Sequence, residues 1–194
     1  GASSERMAAA YAALANDGIY TKPYYVSKII MPDGSTKTYE PERTRAMKPS
    51  TAYIITDILK GVIKGNDGTI PALSTGLYAQ TPGLPEAGKT GTSNYDASEY
   101  QQALETAGIT QAQLQGGSMA PDENFVGYTP QYAMAVWTGY KNKLQPIYGE
   151  NMYIAAKVFK AMMNDLYPDP TSVEDWQMPT DVIKQGSELA ATGN

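Results

Sequence analysis

The segment NFVGYTPQYAMAVWTGY, residues 124–140, carries the strongest strand pattern in the chain. It consists of two runs rich in aromatic and β-branched residues that flank the short polar turn Thr129-Pro130-Gln131. This arrangement predicts an antiparallel hairpin. The second arm, Tyr132 to Tyr140, is almost continuously apolar, as is typical of a strand that is covered on both faces. The aromatic residues expected in the core are Tyr128, Trp137 and Tyr140.

Helices and further strands are predicted on both sides of this hairpin. A Pro-Asp-Gly-Ser turn at residues 32–35 predicts a second, N-terminal hairpin, and Gly65-Asn66-Asp67-Gly68 is expected to end a helix. The predicted elements are helices over 4–16, 50–63, 97–107 and 151–166, and strands over 19–31, 36–39 and 86–93. The apolar stripes of the second and fourth helices are Ile54, Ile55, Ile58, Leu59 and Val62, and Ile154, Val158, Met162 and Leu166. Helices that sandwich an antiparallel sheet define the α+β class.

The tetrapeptide Lys89-Thr90-Gly91-Thr92 lies on the predicted strand 86–93. A lysine, two hydroxyls and a residue without a side chain, all on one extended segment, can bind an anion and leave backbone open to a ligand. An ordinary edge strand with a solvated lysine and two threonines, which favour β-structure, is the alternative. The tetrapeptide alone leaves both interpretations open.

Composition narrows the chemistry that this chain can perform. The 194 residues include no cysteine and no histidine, which excludes a thiol nucleophile, a Ser-His-Asp triad and Cys- or His-ligated metal within it. Serine chemistry would therefore need lysine as its base. The net charge of −5 and the scattered Lys and Arg argue against a nucleic-acid surface, and no apolar run is long enough to cross a membrane. We expect no cofactor and no metal, and interpret the acidic residues Asp165, Asp169, Glu174 and Asp175 as a solvated group.

Four blocks in order give the chain a family resemblance. They are GASSERMA at 1–8, KTGTSN at 89–94, NFVGYTP at 124–130 and AVWTGY at 135–140. Together they resemble the C-terminal part of the transpeptidase domain of class A penicillin-binding proteins, the bifunctional peptidoglycan synthases, and in particular streptococcal or related Gram-positive members. The resemblance implies the transpeptidase fold shared with serine β-lactamases, present here as its C-terminal portion over residues 1–176. Residues 177–194 are assigned to a C-terminal tail, and the segment from Tyr167 onward is expected to wrap the surface, with Trp176 as its anchor.

The family reaction implied by this resemblance is D,D-transpeptidation. A serine is acylated by a D-Ala-D-Ala stem peptide, or by a β-lactam, and an amine of a second stem peptide resolves the acyl-enzyme. Carried over to this sequence, Lys89 and Thr92 are the catalytic residues, the backbone N–H of Thr92 being an oxyanion donor. The substrate-binding residues are Thr90, Gly91, Thr92 and Asn94. Asn94 can equally be a simple turn residue.

The chain departs from the family pattern at one essential point. K-T-G accompanies S-x-x-K, which holds the nucleophile, and a second motif, S-x-N, in this family, and neither occurs among the serines of this sequence. We therefore expect an incomplete site, inactive alone, an uncovered sheet edge, and a second polypeptide that carries both motifs. The resemblance also implies a parent protein with a glycosyltransferase domain and a membrane anchor, acting on the outer face of the cell membrane. The alternatives are a D,D-carboxypeptidase or β-lactamase of the same fold, or a non-catalytic sensor or interaction module.

Overall fold

Four α-helices and eleven strands make up the part of the chain that the structure describes. The structure is a computed structural model and describes residues 1–64 and 74–192. The helices are α1 (Ser4–Ala15), α2 (Pro49–Lys64), α3 (Ala97–Ala107) and α4 (Ile154–Leu166). The strands are β1 (Ile19–Thr21), β2 (Lys28–Ile30), β3 (Thr36–Thr38), β4 (Arg43–Arg45), β5 (Ala87–Thr92), β6 (Met119–Ala120), β7 (Asp122–Tyr128), β8 (Ala133–Gly139), β9 (Ile147–Tyr148), β10 (Val182–Gln185) and β11 (Glu188–Ala191). The predicted helix end at Gly65-Asn66-Asp67-Gly68 lies outside the described residues.

The central sheet has β7 between β5 and β8, with both pairs antiparallel. The hairpin predicted at 124–140 and the strand predicted at 86–93 are thus confirmed. Neighbouring residues of β7 face opposite sides of the sheet, so Tyr128 and Phe125 lie on different faces. Tyr128 meets the ring of Tyr11 from α1 edge-on, with the ring centroids 6.0 Å apart. Phe125 packs on Phe159 of α4 at 5.1 Å. Helices therefore cover both faces, and the predicted α+β class is confirmed.

The helix rotations differ from those that the apolar stripes predict. On α4, the stripe Ile154, Val158, Met162 and Leu166 is 38–42% exposed. The buried face is formed by residues one position later in the sequence, among them Ala155, Phe159 and Met163. Phe159 fits over Gly127, where an added Cβ would come within 2.6 Å of its ring. This close approach of a large ring to a bare backbone determines how the helix is turned.

The stripe predicted for α2 is also wrong in part, since Ile58 is 62% exposed. The helix instead buries Ala52, Thr56 and Ile63. The Thr56 hydroxyl hydrogen-bonds the Tyr128 hydroxyl at 2.9 Å, so the helix turns a polar residue toward the sheet. Buried polar groups need such partners, and a hydrophobic pattern does not reveal them.

Strand β8 is less covered than predicted. Trp137 and Tyr140 are 50% and 49% exposed, so the prediction that they are core residues is wrong, whereas Tyr128 is fully buried as predicted. Within the described residues β8 pairs only with β7. The other side of β8 is therefore an open edge, and its aromatic side chains remain accessible.

The N-terminal segment forms two pairs of short strands rather than one hairpin. The pairing of β2 with β3 confirms the predicted turn at 32–35. The strand predicted over 19–31 is interrupted because Pro23, which cannot donate a ladder hydrogen bond, follows β1. β1 pairs instead with β4, a contact that the sequence pattern did not suggest.

The C-terminal residues confirm one expectation and add a hairpin. Trp176 anchors its segment, because its indole N–H donates to the Ala15 carbonyl at 3.1 Å and its ring packs edge-on against Tyr128. Beyond it, β10 pairs with β11, and Val182 is buried. The domain boundary at residue 176 stays a prediction.

No helix of residues 1–64 or 74–192 is both long enough and apolar enough to cross a bilayer.

A buried carboxyl lies immediately before β5. Glu86 is fully buried, and one of its oxygens accepts a hydrogen bond from the Thr81 N–H at 2.6 Å. Its second oxygen and the Thr81 hydroxyl have no hydrogen-bond partner among the described residues. Burial raises the pKa of Glu86 to about 7, although the Thr81 N–H and the charges of Lys64 and Lys160 act in the opposite direction. The group is therefore a neutral acid under mildly acidic conditions.

Glu86 should make the stability of the fold depend on pH. Between its ordinary pKa of 4.5 and about 7, the folded state keeps a proton that the unfolded state has lost. The contribution of Glu86 to the free energy of unfolding is thus largest below pH 4.5 and falls as the pH rises through the folded pKa, by up to roughly 1.4 kcal/mol per pH unit. Glu86→Gln keeps the acceptor without the charge, so its advantage over the wild type should grow to the order of 3 kcal/mol above pH 7. Urea unfolding across this range measures the difference, and parallel pH dependences would contradict the assignment.

Candidate active site

Strand β5 is an edge strand whose free side presents alternate backbone groups. Antiparallel partners alternate between pairs that exchange hydrogen bonds and pairs that do not. Beyond the end of β5, the Ser93 N–H donates to the Asp122 carbonyl at 3.4 Å, and the register places Thr92 opposite Glu123. The N–H groups of Lys89 and Gly91 therefore point toward β7. Those of Thr90 and Thr92 point outward, to the unpaired side.

The side chains of the K-T-G-T segment divide between the two faces of the sheet. Lys89 and Gly91 lie on one face, and both line a cavity of about 450 Å³ together with Met7 and Tyr11 of α1. Thr90 and Thr92 both line a second cavity, of about 630 Å³, while Thr90 also reaches the first. The predicted site residues at 89–92 are thus brought together around an open strand edge. Trp137 also lines the first cavity, contrary to its predicted core position.

The Lys89 ammonium holds the Thr90 hydroxyl. Its Nζ donates to both the carbonyl oxygen and Oγ1 of Thr90, at 3.1 Å each. Lys89 is exposed and Thr90 is half-buried. The lysine therefore provides a positive charge at the strand edge and fixes the orientation of a neighbouring hydroxyl.

The Thr92 hydroxyl has an acidic partner that the sequence analysis missed. Its Oγ1 donates to Oε2 of Glu123 at 3.0 Å. Glu123 is only 4% exposed, and burial raises its pKa; the hydrogen bond from Thr92 opposes this shift, and the negative charge of Asp122 adds to it. The strands 86–93 and 124–128 were each predicted, but no pairing between them and no register. A register would have placed Glu123 opposite Thr92.

Asn94 stands apart from the other predicted site residues. It is exposed in the segment between β5 and α3, and it lines neither of the two cavities. Its predicted role in substrate binding stays a prediction.

In the acidic group expected to be solvated, Asp175 forms an ion pair with Lys60 at 2.7 Å. Within the described ranges, no three acidic side chains lie close enough together to hold a metal ion.

The strand order, the helices on both faces and the K-T-G-T edge define a transpeptidase-type domain. Residues 1–164 match the family model of the penicillin-binding protein transpeptidase domain. The chain belongs to this family. The resemblance noted from the sequence blocks is confirmed.

Two streptococcal proteins are similar over nearly the whole chain. Penicillin-binding protein 1A of Streptococcus oralis is 51% identical over 178 residues, which are 92% of this chain and 25% of that protein. Penicillin-binding protein 1A of Streptococcus pneumoniae is 44% identical over 193 residues, covering 100% of this chain and 24% of that protein. The chain therefore spans about a quarter of the length of these curated relatives.

Solved structures support the fold at lower identity. The PonA1 protein of Mycobacterium tuberculosis, in a complex with penicillin V, matches with a TM-score of 0.63 at 21% identity, over 97% of this chain and 43% of that one. Penicillin-binding protein 3 of the same organism matches with a TM-score of 0.61 at 22% identity, over 86% and 35%. These likenesses confirm the transpeptidase fold, and this chain corresponds to only a part of each solved structure.

Two glycines on β5 provide a matched test of how closely each face of this strand is packed. A Cβ on Gly88 would lie 2.7 Å from the Phe125 ring and 2.9 Å from the Val126 carbonyl oxygen, whereas a Cβ on Gly91 would meet only Asn124 Cβ, at 3.4 Å. Gly88→Ala should therefore lower the free energy of unfolding by about 1–3 kcal/mol. Gly91→Ala should change it by less than about 0.5 kcal/mol. Thermal unfolding of both variants checks this, and equal losses would show that the two faces of β5 are packed alike.

Proposed function

We propose that this chain is the K-T-G-T-bearing part of a peptidoglycan D,D-transpeptidase that is acylated by D-Ala-D-Ala stem peptides and by β-lactams. The observation that carries the proposal is the open outer edge of β5, with the hydroxyls of Thr90 and Thr92 beside an exposed lysine. A substrate peptide can add to this edge as a further strand. Its terminal carboxylate then meets a cation and hydroxyl donors.

The backbone of Thr92 supplies the electrostatic part of the proposed catalysis. Its N–H points to the unpaired side of β5, as the alternation of the ladder requires. An N–H in that position can donate to the oxyanion that forms when a serine attacks the carbonyl. Removal of one such donor typically costs about 3–4 kcal/mol of transition-state stabilisation. Lys89 adds positive potential, which helps to keep a second, catalytic lysine neutral and therefore basic.

Gly91 supplies room for the substrate. It lines the first cavity, and only Asn124 lies near the position of an added Cβ. Without a side chain, the strand allows the backbone of a peptide or of a β-lactam to approach closely. The role proposed for Gly91 is thus steric, whereas the threonines bind by donating hydrogen bonds.

The nucleophile of the proposed reaction lies outside these 194 residues, because the sequence has no S-x-x-K or S-x-N motif. A second polypeptide, or another segment of a longer protein, would contribute that serine and its lysine base. The 194-residue chain alone is then inactive. The parent protein is proposed to be membrane-anchored, to carry a glycosyltransferase domain and to act on the outer face of the cell membrane, as a class A synthase.

The proposal predicts a penicilloyl adduct on the parent protein and none on this chain. Intact-mass spectrometry after incubation with benzylpenicillin tests both at once. An adduct that persists supports a transpeptidase, whereas rapid loss of the adduct with release of hydrolysed drug favours a β-lactamase. A folded parent protein that forms no adduct would favour the non-catalytic module.

Gly91→Val in the parent protein should slow acylation on the order of 100-fold, because the added side chain displaces the reacting group from its attack position. The unfolding temperature should stay close to that of the wild type, since Gly91 borders a cavity and an added Cβ would meet only Asn124 Cβ, at 3.4 Å. The acylation rate is measured with a fluorescent penicillin. Asn142→Ala, in the loop after β8, is the control and should react like the wild type. Wild-type acylation by Gly91→Val would contradict the steric role of Gly91.

A further inference from the structure

Glu123 is a buried carboxyl at the binding edge to which the proposed mechanism gives no role. It lies opposite Thr92 in the β5–β7 register and is 4% exposed. One oxygen, Oε2, accepts a hydrogen bond from the Thr92 hydroxyl, with 3.0 Å between the two oxygens. The other, Oε1, is buried and has no hydrogen-bond partner among the described residues. A buried acceptor left without a partner is costly, so this carboxyl calls for a functional explanation.

The two threonines present their hydroxyl protons differently. A hydroxyl has one proton to donate and two lone pairs that accept. Lys89 Nζ donates to Thr90 Oγ1 at 3.1 Å, so it uses a lone pair and leaves the Thr90 proton free. The proton of Thr92 is instead directed to Glu123. Because a ligand carboxylate can only accept, the Thr92 hydroxyl cannot serve it in this arrangement.

The charges around the second cavity make an ionised Glu123 unfavourable for an anionic ligand. Of the described residues that line this cavity, the charged ones are Glu123 and Glu150 and none is Lys or Arg. Glu150 is already paired with Lys157 of α4 at 2.8 Å. The other neighbouring groups are Asp122 on β7, the uncharged Thr138 on β8, and the phenols of Tyr148 and Tyr153 across the cavity. A ligand carboxylate at Thr92 would thus lie beside the negative charge of an ionised Glu123.

We infer that Glu123 is a positioning residue that acts as the neutral acid, donating its own proton to Thr92 Oγ1 and so turning the Thr92 proton toward the ligand carboxylate. Both threonines then present a free proton on the same face of β5. The inference rests on the proposed function, since it assumes that Thr90 and Thr92 hold that carboxylate. Burial, which raises the pKa of Glu123 above its ordinary 4.5, extends the range in which the neutral acid exists.

The test is the pH profile of acylation of the parent protein by benzylpenicillin. In the wild type the second-order rate constant should fall as Glu123 ionises, by about tenfold or more, since one charge-assisted hydrogen bond is lost and a repulsion is added. In Glu123→Gln the amide N–H donates to Thr92 Oγ1 at every pH. Its second-order rate constant should match the low-pH value of the wild type. It should not show the fall with rising pH, which we call the step. Identical profiles for the two proteins would overturn the inference.

Three controls separate positioning from structure. Thr92→Val should reduce the step to the part that charge repulsion contributes, because the hydroxyl that Glu123 orients is gone. Glu150→Gln changes the other carboxylate of the cavity and should keep the step. Penicillin methyl ester, which lacks the carboxylate, should acylate the wild type without the step. A step of undiminished size in Thr92→Val, or any step with the ester, would assign the titration to another group and overturn the inference.

The outcomes for the inference and for the proposed function are distinct. A folded wild-type parent that benzylpenicillin does not acylate at any pH would overturn the proposed function, and the inference with it. Normal acylation with an unchanged profile in Glu123→Gln would overturn the inference alone. A changed unfolding temperature with an unchanged profile would mean that Glu123 has a structural role only.

Discussion

The register between β5 and β7 is the constraint on which the other features depend. It places Thr92 opposite Glu123 and Lys89 opposite Val126, and a shift by one residue would exchange the faces of every side chain. The same register turns the N–H groups of Thr90 and Thr92 to the open side of the sheet. Gly88 helps to hold this alignment, because the Phe125 ring occupies the space that any larger residue would need. The geometry of the candidate site therefore follows from how two strands are paired.

Tyr128 connects the site to the rest of the fold. It is fully buried on β7, its hydroxyl bonds Thr56 of α2, and its ring meets Tyr11 of α1 and Trp176. On the opposite face, Phe125 and Phe159 join β7 to α4. A single strand thus carries the contacts of three helices, and it also pairs with the strand that presents Lys89. Packing of this kind holds an edge strand rigid although only one of its sides is paired.

The sequence was sufficient to predict the class, the central hairpin, strand β5 and the limits of α3, because local patterns and turn residues agree there with the tertiary structure. It was insufficient where packing decides. The rotation of α4 depends on Phe159 fitting over Gly127, and that of α2 on a buried hydroxyl pair, and neither leaves a periodic trace. The residues at 89–92 could be identified from a short motif. Glu123 could not, because its role depends on a cross-strand partner, and Trp137 was misplaced because the strand that bears it lies at an edge.

The indole of Trp176 joins the segment that follows α4 to the C-terminal end of α1. Its hydrogen bond to the Ala15 carbonyl spans 161 positions of the chain, and its ring also lies near the Lys60 ammonium, 5.2 Å from the ring centroid. Contacts of such long range form late, since the entropy of closing a large loop must be overcome first. During synthesis α1 and α2 leave the ribosome well before Trp176, which packs on Tyr128 and bonds the end of α1. The apolar surfaces around Tyr11 and Tyr128 stay partly uncovered for that interval, and transiently exposed apolar surface of this kind is prone to aggregation.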